Sequence, residues 1–275
     1  MPEGPEIHRA ADRLAGVLDG RRLQRLFFAF DRLKPFESSL RDTRVRAVEA
    51  RGKAMLIHFD DGHVLYSHNQ LYGRWQIVGG HTYPQTSRSL RVALHTENQA
   101  ALLYSASDIA VLDSAALAQH PYLSRLGPDL LQAQIDAGGI AARLAQPAWR
   151  RRCLMALLQD QQVLAGMGNY LCCEVLHVSG VHPQQRPVDL AADRLRRLAH
   201  NCLVLTRRSY RTGGITNSPQ RVKTLRAGGT AFEDYRFHVY RRAGQPCYRC
   251  GAPIVKGRFC GRMGYICPVC QPAGR

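Results

Sequence analysis

From Ile7 to Leu18 the apolar residues recur at helical spacing. Ile7, Ala11, Leu14 and Leu18 fall on one face, and Gly20 follows as a stop, which predicts a helix over 7–19. Between about 23 and 112 the period shortens. The segments RLQRLFFAF, TRVRAVEA, AMLIHF, HVLYSHN, RWQIVG, SLRVALHT and AALLYSA each run for a few residues between turn signals, among them Asp60-Asp61-Gly62 and Gly79-Gly80-His81. Short strands at this spacing predict a β-sandwich or barrel. A short helix is expected to start at Asp113 or Ser114. LGPDLL at 126–131 carries Gly127 and Pro128 between differently textured halves and reads as a linker. Beyond it the pattern is helical over 139–146, 150–161, 170–178 and 190–208. Leu195, Leu198, Cys202 and Leu205 form the apolar face of the last. Residues 211–231, rich in Gly, Thr, Arg and Lys and with little periodicity, are expected to form a mobile loop. The tail 235–275 reads as strands and turns around cysteines.

The chain of 275 residues suits two domains, and its 45% apolar content is enough for real cores. A net charge of +17 favours a polyanionic partner, nucleic acid first and an anionic membrane surface second. Charge alone is equally compatible with an inert basic surface. The start of the chain has acids where a signal peptide needs bases, and no apolar core follows. No stretch reaches the ~18 apolar residues of a membrane span. A cytoplasmic, reduced protein is expected, in which nine cysteines serve metal or packing and not disulfides.

Cys247 and Cys250 form one C-x2-C knuckle and Cys267 and Cys270 another, separated by residues 251–266. Four thiolates on two tight turns make the closed tetrahedral shell of a structural zinc, with no position left for catalytic water. Neither knuckle opens a helix in a βαβ unit, so a redox C-x-x-C is a poor fit. Cys260, between the knuckles, is not expected to be a ligand. Cys153, Cys172, Cys173 and Cys202 lie in helical segments as core residues. Arg258 and Arg262 sit near the tip of the ribbon hairpin, suited to phosphate, although Arg258 is equally well read as a solvated side chain.

Upstream, Ala165-Gly166-Met167-Gly168 forms a glycine-rich turn before a new helix, with Asn169 at its start. Such a helix start is an anion site to which Asn169 can add a hydrogen bond. On local sequence alone, Asn169 as a plain helix cap is the better reading.

Several motifs stand in order along nearly the whole chain: PEGPEI at 2–7, RGKAML at 51–56, SHNQLYG at 67–73, LLYSASDI at 102–109, LAGMGNYL at 164–171 and the cysteine ribbon. With these pieces the sequence resembles the formamidopyrimidine-DNA glycosylase/endonuclease VIII family of bifunctional repair enzymes. The consecutive Gln70-Leu71-Tyr72, and Gly4 after the first glutamate, resemble the endonuclease VIII branch more closely. There the triplet fills the hole left by an extruded nucleotide.

The resemblance implies an α+β multi-domain fold. It has an N-terminal β-sandwich with flanking helices over 1–125 and a linker over 126–131. A helical domain with a helix–two-turn–helix follows over 132–213, then a mobile loop with a C-terminal zinc-ribbon β-hairpin over 214–275. It implies a monomer acting on damaged double-stranded DNA, with one structural Zn2+ and no redox or nucleotide cofactor. Once Met1 is removed, Pro2 would present a secondary amine. An N-terminal amine titrates near pH 7.7–8.0, far below lysine, and so is nucleophilic at neutral pH. Glu3 beside it can move protons. Glu6 either orients the amine or sugar, or complements the helix dipole. Lys53 matches a lysine that reaches the phosphate and sugar near the lesion, where local sequence alone gives an ordinary exposed lysine. Asn169 and Arg262 match a phosphate clamp around the flipped nucleotide.

The expected activity is excision of oxidised pyrimidines such as thymine glycol and 5-hydroxyuracil, with strand cleavage by β,δ-elimination. The alternatives are the same chemistry on oxidised purines (8-oxoguanine, formamidopyrimidine) and a non-catalytic zinc-ribbon nucleic-acid-binding protein. Two departures from the family pattern stand out. The stretch 211–237 is longer than the endonuclease VIII branch suggests, and Cys260 inside the ribbon is open to oxidation.

Overall fold

A computed structural model of the chain describes residues 2–80 and 82–273. Met1, whose removal the expected chemistry requires, and His81 of the Gly79-Gly80-His81 turn lie outside the described residues. The chain divides into two compact units, 1–125 and 126–275.

The first unit opens with helix α1 (Gly4–Leu18). It starts three residues earlier than the apolar spacing suggests, because Glu3 and Glu6 form a capping box and Pro5 lies in the first turn. Ile7, Ala11, Leu14 and Leu18 are all buried. The strands follow as β1 (Arg25–Phe28), a short α2 (Pro35–Ser39), β2 (Val45–Arg51), β3 (Ala54–Phe59), β4 (Val64–His68), β5 (Arg74–Gly79), β6 (Leu90–His95), β7 (Gln99–Tyr104) and β8 (Asp108–Leu112). They make two antiparallel four-stranded sheets, in the orders β2-β3-β4-β8 and β1-β6-β7-β5. Met55, Ile57, Leu65, Val92, Leu94 and Leu103 fill the core together with the apolar face of α1.

Strand β3 is buried on both faces, where a two-layer sandwich would alternate. The reason is a third layer. Helix α3 (Ser114–Gln119), capped by Asp113 through Ala116 N–H, and the turn after it bring Leu117, Tyr122 and Leu123 over Ala54, Leu56 and Tyr66.

The second unit contains α4 (Ala137–Ala145), α5 (Leu154–Leu157), α6 (Asn169–Ser179), α7 (Ala192–Thr212), α8 (Pro219–Ala227) and α9 (Phe232–Tyr235). A hairpin of β9 (Val255–Phe259) and β10 (Arg262–Ile266) closes it. Helices α4 to α7 and the hairpin share one core, in which Met155, Leu171, Cys172, Leu198, Cys202, Phe259 and Ile266 are buried together. Residues 126–131 lie in this unit. Gly127 N–H donates to Gln161 O and Ala165 N–H to Pro128 O, and a Cβ at Gly127 would stand 2.4 Å from Gln162 O.

Two elements differ from the sequence reading. The helix expected over 150–161 is a single turn, α5. Beyond it, the Gln161 side chain bonds Gln159 O, Met167 O and Gly166 N–H, so side-chain bonds replace the helical ladder. The loop expected over 211–231 contains the end of α7 and all of α8. Ser218 caps α8 through Arg221 N–H, Pro219 sits in its first turn, and Gly228 ends it. No residue of α8 is buried, so it carries no apolar stripe from which it could be read.

Candidate functional site

In the first unit, Pro2 and Glu6 line a cleft of about 420 Å3 together with Arg13, Asn69, Arg74 and Gln76. Glu3 is buried, 3% exposed. Its N–H donates to Glu6 Oε2 at 2.9 Å, one half of the capping box at the start of α1. The capping box orders the backbone that directly follows Pro2, which lines the cleft.

Asn69 lies inside the SHNQLYG motif, where its spacing signals no role. It is 7% exposed, and its Oδ1 is buried without a hydrogen-bond partner among the described residues. A buried polar atom left unpaired is costly, and in a cleft it is a candidate contact for a bound group.

Gln70, Leu71 and Tyr72 form the turn between β4 and β5, which belong to different sheets. Gln70 takes a left-handed φ of 50°. It is held by its N–H to His68 Nδ1 (3.1 Å) and by the Ser107 hydroxyl to its Oε1 (2.8 Å). Gly73 N–H closes the turn on Asn69 O at 2.7 Å, and a Cβ at Gly73 would meet that oxygen at 2.6 Å. Below it the Trp75 indole donates to Ser67 Oγ. A rigid base thus carries two large exposed side chains, Leu71 at 55% and Tyr72 at 70%.

Lys53 sits in the tight β2–β3 turn after Gly52, whose φ is 61°. It is half-buried, and its N–H donates to the Tyr122 hydroxyl at 3.0 Å. Tyr122 meets the His68 ring edge-on at 5.3 Å. Burial first, and then the Lys53 charge, hold the His68 imidazole below its ordinary pKa, against the opposing pull of Asp108. A neutral ring suits an Nδ1 that accepts from Gln70. His68 therefore connects Lys53 to the exposed turn, a link that no sequence spacing reveals.

In the second unit, Gly168 and not Asn169 is the N-cap of α6, so the cap reading of Asn169 is corrected. The extended backbone at Gly168 moves the cap one residue upstream. Asn169 becomes the first helical residue, and its Oδ1 accepts from the Cys173 thiol. Arg262 is exposed at the start of β10, which packs against α6, and Arg258 is exposed on β9.

Glu174 on α6 is fully buried. Its Oε1 accepts from Val239 and Tyr240 N–H, and its Oε2 from His238 N–H and the Thr216 hydroxyl. This carboxylate ties α6 to both ends of the 216–240 segment. The sequence reading missed it, since a mid-helix glutamate carries no local sign of burial.

The Sγ atoms of Cys247, Cys250, Cys267 and Cys270 lie within 4.8 Å of one another. Three of the pairs stand at 3.9, 3.4 and 3.6 Å. A tetrahedral Zn–S shell needs about 3.8 Å between sulfurs. The four-thiol donor set therefore fits a structural zinc. Cys172, Cys173 and Cys202 are buried in the core as expected. The expectation that cysteines outside the cluster only pack fails at one place, because Cys153 and Cys260 are joined as a disulfide. Their 107-residue separation hid a proximity that only the docking of the hairpin on α5 creates.

No helix among the described residues is long and apolar enough to cross a membrane. Solved structures of Lactococcus lactis formamidopyrimidine-DNA glycosylase share the fold. A complex with Fapy-dG-containing DNA matches with a TM-score of 0.81 at 20% identity, covering 99% of this chain and 100% of that one. A complex with DNA containing an AP site matches at 0.79 and 19% identity, covering 98% and 100%. Relatives named Endonuclease 8, from Enterobacter sp. (strain 638) and Salmonella enteritidis PT4, are each 45% identical over 98% of this chain and 100% of their own length. The formamidopyrimidine-DNA glycosylase N-terminal domain matches residues 1–107 and the H2TH domain of the same enzymes residues 126–220. With both domains matched in order and full-length relatives at 45% identity, the chain belongs to the formamidopyrimidine-DNA glycosylase/endonuclease VIII family.

Proposed function

We propose that the chain is a bifunctional DNA glycosylase/AP lyase that removes oxidised pyrimidines from duplex DNA in base excision repair. The observation that carries this is Pro2 at the edge of a polar cleft, its backbone fixed by Glu3 and Glu6, in a chain 45% identical throughout to proteins named Endonuclease 8.

The Pro2 nitrogen, freed by loss of Met1, attacks C1′ of the damaged nucleotide. The C1′–N bond breaks and the base leaves with a proton. Glu3 assists by protonating the sugar ring oxygen, so that the ring opens to an iminium that is charged without needing a proton. The iminium acidifies the C2′ hydrogen. Its removal expels the 3′-phosphate, and a second elimination expels the 5′-phosphate. Glu6 keeps the Pro2–Glu3 backbone in place. Lys53, Asn169 and Arg262 hold phosphates flanking the extruded nucleotide. Gln70, Leu71 and Tyr72 fill the vacated stack, offsetting an extrusion cost of a few kcal/mol. Cys247, Cys250, Cys267 and Cys270 would hold a zinc ion whose closed four-thiolate shell would brace the ribbon and leave no position for bond breaking. We assign residues 1–125 to the catalytic domain and 126–131 to a linker. Residues 132–213 form the helical domain and 214–275 the ribbon domain, in a cytoplasmic monomer.

Oxidised purines are the second reading. It draws on the α8 segment, which lines a cleft of about 410 Å3 with Arg208, Thr212, Asn217 and Lys223. Borohydride trapping decides between them. Untagged protein should form a covalent complex with thymine glycol duplex, more strongly than with 8-oxoguanine, and Pro2→Gly should abolish it. No adduct with either lesion or an abasic site, from Met1-free zinc-loaded protein, would leave only DNA binding.

A further inference from the structure

We propose that Cys153 and Cys260 form an oxidant-responsive dithiol site that fastens the turn of the ribbon hairpin to the start of α5 and so sets how firmly Arg262 is held. The inference rests on reading Arg262 as a phosphate contact.

Cys153 is the N-cap of α5, and Cys260 is the first residue of the two-residue turn between β9 and β10. Their sulfurs are bonded, with Cα atoms 6.5 Å apart. Neither belongs to the four-cysteine cluster. Cys260 and Gly261 have φ of 48° and 79°, the pattern of a type I′ turn. The first position of that turn favours asparagine, aspartate or glycine. Turn chemistry therefore does not explain a cysteine there, whereas a bond to Cys153 does. The hairpin also approaches α5 closely beside this bond, since a Cβ at Gly264 of β10 would lie 2.8 Å from Met155 Cε. The four-cysteine cluster lies at the base of the hairpin, and the Cys153–Cys260 bond holds its turn, two residues before Arg262.

Exposure makes the pair reversible. Cys260 is exposed and Cys153 half-buried, so both oxidants and small thiols reach the site. In a reducing compartment such a pair is a responsive bond and not a permanent staple. With a hydroperoxide as oxidant, the Cys260 sulfur attacks the peroxide oxygen. The O–O bond breaks, an alcohol or water leaves, and a sulfenic acid remains. The Cys153 sulfur then attacks the sulfenic sulfur, the S–S bond forms, and a second water carries away the thiol proton and the hydroxyl. Two equivalents of a small thiol reverse the step by exchange and leave as their own disulfide. In the reduced state the Pro183 carbonyl, 3.2 Å from Cys153 Sγ, can accept the thiol proton and keep that cysteine in register.

Closing the bond pre-organises the strand that starts at Arg262, so less freedom is lost when it meets a phosphate. Removing that constraint should weaken binding about three- to tenfold. The test uses full-length protein with one zinc per chain, treated with hydrogen peroxide or dithiothreitol and then mapped by non-reducing peptide mass spectrometry. Affinity is measured for a duplex carrying a tetrahydrofuran abasic analogue. The expected result is a Cys153–Cys260 peptide after peroxide, tighter binding than in the reduced protein, and loss of that difference in both Cys153→Ser and Cys260→Asn. Failure of peroxide to bridge 153 and 260 overturns the proposal. So does equal affinity of bridged and reduced protein while Arg262→Ala weakens both, in which case the phosphate reading survives. If Arg262→Ala costs nothing in the bridged protein, the phosphate reading itself falls and takes the coupling with it.

Discussion

Replacing Glu174 by glutamine keeps the side chain's shape and removes its charge. In the native unit Oε1 takes two backbone amides at 2.8 and 2.9 Å, and Oε2 takes His238 N–H at 2.7 Å with the Thr216 hydroxyl. In Glu174→Gln one of those oxygens becomes an NH2 group that can only donate. Two buried donors then face a donor. Each unsatisfied donor costs roughly 1–3 kcal/mol, and rotation of the Thr216 hydroxyl can relieve at most one of them. The expected destabilisation of the second unit is therefore about 2–5 kcal/mol. For a unit of 150–250 residues each kcal/mol moves the melting temperature by about 2–4 °C, so a fall of roughly 5–15 °C is expected by calorimetry. Amide exchange should report the same loss locally, with protection at 238–240 falling more than in α7. A shift below about 2 °C, or exchange unchanged at those amides, would refute the idea that this one carboxylate organises the segment between α7 and the ribbon.

His238 supplies a pH test. Burial first, and then the charges of Arg208, Arg221 and Arg242, lower its imidazole from an ordinary 6.5 to about 4. Because the folded value is depressed, its contribution is complete above pH 6.5 and is lost as pH falls through about 4. The amount is about 3 kcal/mol at most. Unfolding free energy should fall over that window by more in the native protein than in His238→Gln, and parallel curves would sink the assignment. Gly73→Ala should distort the β4–β5 turn and lower activity on lesion duplex by an order of magnitude or more, since the added Cβ meets Asn69 O at 2.6 Å. Wild-type rates would show that the turn does not need its shape. Leu71→Ala should slow excision from duplex while leaving trapping on a single-stranded abasic site intact, since only the duplex has a stack to fill. Equal losses on both substrates would argue against insertion. Chelating zinc should disorder the hairpin and weaken duplex binding, and salt should weaken it steeply. Unchanged affinity in zinc-free protein, or a flat salt response, would count against the ribbon as a phosphate contact.

Much of this protein is written in short-range patterns. The spacing of Ile7, Ala11, Leu14 and Leu18 determined the buried face of α1, and Asp113 determined where α3 begins. The two knuckles brought four thiols together because each pair is local and a hairpin closes the gap between them. The triplet 70–72 was legible as an exposed turn because a glycine follows it. Each of these depends on dihedral preference or periodicity within a few residues. What the tertiary structure alone decided depends on docking between distant segments. Strand β3 became buried on both sides when the residues after β8 folded back over it. Within the 211–231 stretch α8 formed on the strength of a cap and a proline, without a buried face to announce it. Glu174 found its donors 42 to 66 residues away. Cys153 met Cys260 because the hairpin docks on α5. Local sequence fixes backbone geometry, but a buried charge or a thiol pair gains its meaning from atoms that packing, and not sequence spacing, brings within reach.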